Sequence, residues 1–200
     1  LLLDFDYEQN FKDDDFYVGK SNYYPFELLN KWPNWENNFL NISGEKFSGK
    51  THLTNIFLKK FNGFKIESNL LNDESLKEIK LYQNIILENL NLDINEKLIY
   101  TLFNIVDQDN KFLVITSSVP VAEIDFKLKD LKSRTKNCVL AKIENPDDEL
   151  MFALILKNLA DRQIILDKKL IDFIIKRIER SYSKIFEFIY KIDKISLKKK

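Results

Sequence analysis

The chain offers almost no sulfur or imidazole chemistry: it holds a single cysteine, Cys138, and a single histidine, His52. One cysteine excludes an intrachain disulfide, and a reducing, cytoplasmic setting is expected. One histidine excludes any multi-histidine metal centre. Long apolar runs are missing as well, and none approaches the ~20 residues of a membrane-spanning helix. No signal-peptide pattern opens the sequence. It starts at Leu1 without a Met, so a few native residues are expected to precede it. An excess of charge of either sign is also missing. Lys plus Arg and Asp plus Glu both number 31, a formal net charge of +0. That balance argues against a protein whose main surface coats nucleic acid, which carries a basic footprint, but it leaves room for a local basic patch. What is present is 200 residues, 44% of them hydrophobic. That is enough for one α/β domain with a small satellite.

One motif stands out against this plain background. Gly44-Glu45-Lys46-Phe47-Ser48-Gly49-Lys50-Thr51 fits G-x-x-x-x-G-K-[ST], the loop that cradles nucleotide phosphates. The pattern alone is weak, and its context strengthens it. Phe39-Leu40-Asn41-Ile42-Ser43 before it reads as a short buried strand, and Leu53, Ile56, Phe57 and Phe61 after it recur at helical spacing. Backbone N–H groups in the first turn of a helix lack intrahelical partners, and the helix dipole is positive there. Phosphate oxygens satisfy both. Lys50 adds a full charge, and the Thr51 hydroxyl can ligate Mg²⁺. The competing structural reading is a Gly-containing turn that carries a lysine.

Along the chain, residues 1–15 run from apolar (Leu1, Leu2, Leu3, Phe5, Tyr7) to acidic (Asp13, Asp14, Asp15) and read as a loosely ordered arm. From Phe16 to about Ile143, strand-like runs alternate with helical patterns. The candidate strands are Phe39–Ser43, Phe64–Glu67, Asn84–Glu88, Phe112–Ser117 and Cys138–Ile143. This alternation predicts a mostly parallel sheet with helices on both faces. Asn145-Pro146-Asp147-Asp148-Glu149 then reads as a helix start, with Asn145 as cap, Pro146 at the first helical position and acids in the first turn. Helical periodicity continues through Leu150/Leu154, Leu170/Ile174/Ile178 and Ile185/Ile189/Ile192 with no strand signal between. The division is therefore an arm over 1–15, a nucleotide-binding core over 16–144 and an all-helical unit over 145–200.

A phosphate loop needs a second acidic strand for Mg²⁺. Asn84-Ile85-Ile86-Leu87-Glu88-Asn89 has that shape, and Glu88 can reach the water shell that Mg²⁺ keeps. The other reading of Glu88 is a strand-end surface acid. Asn89 stands where a hydrolase of this design has a carboxylate. An amide can orient a water but cannot take its proton, so intrinsic hydrolysis is expected to be slow or absent. Ser118, after the strand Phe112–Thr116, offers a polar group toward a γ-phosphate or serves only in a turn before Pro120. Arg134 follows an amphipathic stretch and is either a solvated arginine or one that completes a neighbour's site. His52 reads as packed against its helix, and Cys138 as a buried core residue.

Taken in order, these segments resemble the ATPase core of the bacterial replication initiator family (DnaA) in the AAA+ class, and more closely its short Hda-type regulators. Asp15-Phe16-Tyr17-Val18-Gly19-Lys20-Ser21-Asn22 is similar to the family's opening motif, which packs near the adenine. Trp32-Pro33-Asn34-Trp35 resembles a stretch of alphaproteobacterial Hda-like proteins. Gly49-Lys50-Thr51-His52-Leu53 matches the family's phosphate loop, and Leu131-Lys132-Ser133-Arg134 the motif that carries its arginine finger. The helical end from Asn145 matches the lid, Ser118 the sensor 1 position and Lys184 the sensor 2 position, with Arg180 one turn earlier. The resemblance covers nearly the whole chain.

That resemblance implies an AAA+ fold, a parallel sheet flanked by helices with a small all-helical lid. It implies ADP or ATP with Mg²⁺ held by Gly44, Ser48, Gly49, Lys50, Thr51, His52, Val18, Asn22, Ser118 and Lys184, and the metal by Thr51 and Glu88. Arg134 becomes an arginine finger acting in trans. Leu1, Leu3 and Phe5 look like a sliding-clamp-binding peptide with its leading Gln lost. The implied partners are the DnaA initiator and the DNA polymerase sliding clamp, with no membrane, and a homodimer is an open alternative. The sequence stops after the lid, so sequence-specific DNA binding is not expected. The implied role is to promote hydrolysis of ATP held by the initiator, with the chain's own ATPase weak or absent. The alternatives are a self-sufficient ATPase of helicase-loader type, a nucleotide-indifferent adaptor or, less favoured, a small-molecule kinase. Two departures stand out. Phe47 replaces a usual Gly, and Lys184 replaces an Arg that would make a bidentate fork.

Overall fold

The computed structural model describes residues 16–91 and 93–198, so the arm with Leu1, Leu3 and Phe5 lies outside the described residues. Five parallel strands form one sheet: β1 (Phe39–Ser43), β2 (Phe64–Glu67), β3 (Asn84–Leu90), β4 (Phe112–Ser117) and β5 (Val139–Lys142), in the order β2-β3-β4-β1-β5. The expected strand positions hold, with two shifts at the ends. β3 runs two residues past Glu88, and β5 is shorter at both ends than Cys138–Ile143. Between and beside the strands lie α1 (Tyr23–Asn30), α2 (Lys50–Phe61), α3 (Asp73–Ile79), α4 (Glu96–Gln108) and α5 (Lys129–Thr135).

Strand alternation sorts the core into two layers. Ile85 and Leu87 of β3 join Leu113 and Ile115 of β4, packing with Ile99, Leu102, Phe103 and Val106 of α4. Ile86, Val114, Leu40 and Ile42 point the other way, onto Leu53 and Phe57 of α2 and Leu29 of α1. An aromatic cluster closes the far end of that second layer, with Trp32 4.5 Å from Phe61 and Trp35 5.8 Å from Phe57. The two-faced α/β sheet predicted from the alternation is the one found.

Three further helices follow: α6 (Asp148–Asp161), α7 (Lys168–Ile175) and α8 (Tyr182–Lys198). They share their own core of Met151, Ile155, Leu159, Ile171, Ile185 and Ile189. The start of α6 corrects the sequence expectation. Asp147, not Asn145, is the cap, and its Oδ1 accepts from the Leu150 N–H at 2.8 Å, so Pro146 lies before the helix. Leu150 and Tyr182 leave this helical core and pack into the α2 layer of the sheet. Among the described residues no helix is long and apolar enough to cross a membrane.

Two outcomes test this packing. Phe103→Ala empties a fully buried site whose ring stacks 4.7 Å from Phe39, and should cost about 3–5 kcal/mol in urea unfolding. Burial pushes the Cys138 thiol up to about 12. Its reaction with a disulfide reagent at pH 8 should be slower than that of the unfolded chain by ~100-fold or more.

Candidate functional site

β1 runs straight into the phosphate-loop motif, and α2 leaves it. Gly49 is the residue before the helix and has φ 93°, a left-handed conformation that suits glycine. It also lies beneath Phe16, whose ring would be 3.1 Å from a Cβ there. Phe16 in turn meets His52 edge to face at 5.2 Å, so His52 packs against the segment that covers the loop. Lys50 is buried, and its Nζ donates to the carbonyls of Gly44 at 2.7 Å and Glu45 at 2.9 Å. Burial pulls its pKa below the usual lysine value, and the carboxylates of Glu88 and Glu45 act against that. The Oγ atoms of Ser43 and Ser48 are buried beside the loop without a hydrogen-bond partner.

Glu88 is the second anchor. It is 1% exposed. Its carboxylate accepts from the hydroxyls of Thr51 (2.9 Å), Thr54 (2.5 Å) and Thr116 (3.2 Å). The spacing of Thr51 and Thr54 puts both hydroxyls on one face of α2, looking at the end of β3. Thr51 and Glu88, named from sequence as the metal pair, thus meet at the helix start. Hard oxygen donors beside buried Lys50 fit a magnesium–phosphate group. Thr54 and Thr116 escaped the sequence reading. The one signal was a polar residue inside an otherwise buried strand or helix face.

Asn89 follows with φ 57°, a conformation asparagine tolerates, at a register break between Leu87 and Leu90. Its N–H donates to Thr116 Oγ1 at 2.9 Å, and its side-chain amide donates to Glu67 of β2 at 2.9 Å. Ser118 lies exposed just past β4, where Ser117 instead hydrogen-bonds Val119 and Asn41. Asn22 is buried and braces the opening segment, accepting from the Gly19 N–H at 2.8 Å and donating to the Tyr17 carbonyl at 2.9 Å. Val18 is 38% exposed and lines a cavity of about 260 Å³ with Tyr17, Gly19, Lys20, Tyr23, Asp147 and Glu149, none of them a residue of the loop.

The lid meets the loop through residues that sequence reasoning did not assign. Glu45 accepts from the Ser181 hydroxyl (2.6 Å) and from the N–H groups of Tyr182 (2.9 Å) and Ser183 (3.1 Å) at the start of α8. Burial opposes its charge, but those hydrogen bonds outweigh burial and hold the carboxyl below the usual carboxylate range. Phe47 has φ 68°, a strain on the order of 1–3 kcal/mol for such a residue, and its ring stacks on Phe186 of α8 at 4.6 Å. Lys184 is turned along its own helix to Glu187 at 3.1 Å, and Arg180 makes a forked pair with Asp148. Neither cation points at the loop. Arg134, on α5, pairs with Asp107 of α4 and lies over the Tyr100 ring at 5.4 Å.

No family model and no curated protein matches the chain. Solved structures do resemble it. AMPPCP-bound DnaA from Aquifex aeolicus aligns with a TM-score of 0.70 and 21% identity over 90% of this chain and 63% of that one. Domain III of the Thermotoga maritima replication initiation protein DnaA gives 0.68 and 18% identity over 88% and 84%. Thermotoga maritima RuvB gives 0.65 and 13% identity over 89% and 62%. The chain spans about 63% of the length of the nucleotide-bound initiator. The fold is that of DnaA-type AAA+ domains.

The Glu88 cluster is open to a stability test. Thr54→Val removes one of its donors while keeping shape, and leaves a buried carboxylate less satisfied. Chemical denaturation should show a loss of about 1–3 kcal/mol.

Proposed function

We propose that the protein is a nucleotide-binding AAA+ module of the DnaA class that regulates replication initiation by promoting hydrolysis of ATP held by an initiator. The observation that carries this is the phosphate loop ending in buried Lys50, with Thr51 hydrogen-bonded to Glu88. A nucleotide would be held by the loop N–H groups and Lys50, and Mg²⁺ by Thr51 and Glu88. The metal would supply charge neutralisation at the phosphates. Structural neighbours described as bound to AMPPCP support the nucleotide assignment.

The chain's own residues fit a regulator better than an independent motor. Asn89 cannot accept a proton, and its amide is engaged by Glu67. Arg134 is the group that would act on a partner. It would leave Asp107, enter the initiator's ATP site across an AAA+ interface and stabilise charge on the transferring phosphoryl group. A finger supplied in trans is worth ~10³–10⁵ in rate. Leaving Asp107 costs little, because exposed ion pairs contribute about 0–1 kcal/mol. Leu1, Leu3 and Phe5 would dock on the sliding clamp and bring the module to replicated DNA. A nucleotide-indifferent adaptor is the second reading, favoured by the commitment of Glu45 and Phe47 to the lid.

The deciding assay is ATP hydrolysis by a replication initiator with DNA-loaded clamp. Stimulation by this chain should disappear in Arg134→Ala, and clamp binding should disappear when Leu3 and Phe5 become Ala. Full stimulation by Arg134→Ala would end the finger assignment. Calorimetric titration of the chain with MgADP separates the two readings, since an adaptor indifferent to nucleotide gives no heat.

A further inference from the structure

We propose that the phosphate loop itself latches the helical lid onto the core, through the Glu45 carboxylate and the Phe47 ring, by contacts made wholly between protein groups. This device does not depend on the regulatory role above, nor on any nucleotide being bound.

The first N–H groups of a helix have no intrahelical partner and attract negative charge. In α8 those of Tyr182 and Ser183 are met by Glu45 from the loop, with the Ser181 hydroxyl as a third donor. The Ser181 oxygen also accepts from the Lys184 N–H at 3.3 Å, so the capping residue is held from both sides. The backbone of Glu45 is fixed in turn, because Lys50 donates to its carbonyl. Thus the lysine of the loop, the residue after its first glycine and the start of the lid helix form one hydrogen-bonded chain.

A second contact supports the first. Phe186 lies one turn into α8, on the same face as Tyr182. It takes the stack from Phe47, while Tyr182 goes into the core and its hydroxyl meets Ser21 and the Glu144 carbonyl, each at 3.2 Å. Charge, stacking and burial therefore pin the same turn of helix. The lid cations that flank this turn, Arg180 and Lys184, are paired with lid carboxylates, so the attraction between lid and loop runs through Glu45.

The amides of Tyr182 and Ser183 report the latch directly, since Glu45 is their acceptor. The experiment is residue-resolved hydrogen exchange by NMR on the full chain stripped of nucleotide. Both amides should be protected. In Glu45→Ala they should exchange roughly tenfold faster or more, while Ile42 in β1 and Ile189 within α8 keep their rates. Should Glu45→Ala also release Ile189, Glu45→Gln decides: it keeps one acceptor without the charge, and an intermediate rate at Tyr182 and Ser183 with Ile189 unchanged supports the latch. Unprotected amides in the nucleotide-free wild type would overturn it. So would rates unaltered by both Glu45 substitutions, or protection that arises only when MgADP is added.

Discussion

A carboxylate buried behind the start of a helix governs the rest of this molecule. Glu88 sits 1% exposed within β3, two residues before its end, where an unpaired charge would cost several kcal/mol. Hydroxyls of Thr51 and Thr54 from α2 and of Thr116 from β4 satisfy it. Thr51 and Thr54 fix the rotation of α2 about its axis. Thr116 fixes the neighbouring strand, and through its bond to the Asn89 N–H it also sets the register break that follows. Since α2 begins at Lys50, fixing its rotation fixes where the phosphate loop ends. The buried acid thus explains both a local peculiarity, the left-handed Asn89, and the placement of the loop two strands away.

The loop divides its residues between two tasks. Gly49, Lys50 and Thr51 face the helix start and Glu88, as a phosphate site requires. Glu45 and Phe47 face the lid. This division accounts for a residue type that looks wrong in isolation. Phe47 adopts a backbone conformation glycine would take without strain, and the stacking it gains on Phe186 offsets part of that cost.

Much of the fold was legible because strands covered on both faces read as short continuous apolar runs, while the helices between them keep a 3.6-residue period. Phe39–Ser43, Phe64–Glu67 and Phe112–Ser117 read correctly as strands from short apolar, strand-like runs between helical patterns. The loop was legible because its spacing serves one geometry. The start of α6 was misread because Asn145 and Asp147 are both good caps, and only the chain's path after β5 selects the second. Glu45 could not be found, since a carboxylate inside a phosphate motif carries no periodic signal and its partners lie over 130 residues away. The resemblance implies a nucleotide-facing Lys184, yet its direction is settled by Glu187 one turn along, an i,i+3 pairing that competes with any distant anion.

The neighbourhood of Asn89 bears on the division of labour between this chain and a partner. Its amide donates to Glu67, so a carboxylate is present near the end of β3 but belongs to β2. For the pair to prepare a water, Asn89 would have to give up that hydrogen bond and Glu67 would have to move from the edge strand toward the loop. Neither is favoured while Thr116 and Ser68 hold the Asn89 backbone at its N–H and carbonyl. Arg134 is restrained differently: its ion pair lies at the surface, its guanidinium rests over the Tyr100 ring, and exchanging Asp107 for a phosphate would exchange one anion for another. Asn89 is held at its N–H, its carbonyl and its side-chain amide, whereas Arg134 is held by the Asp107 carboxylate and the Tyr100 ring. On the regulatory reading proposed above, Arg134 has fewer hydrogen bonds to give up than Asn89.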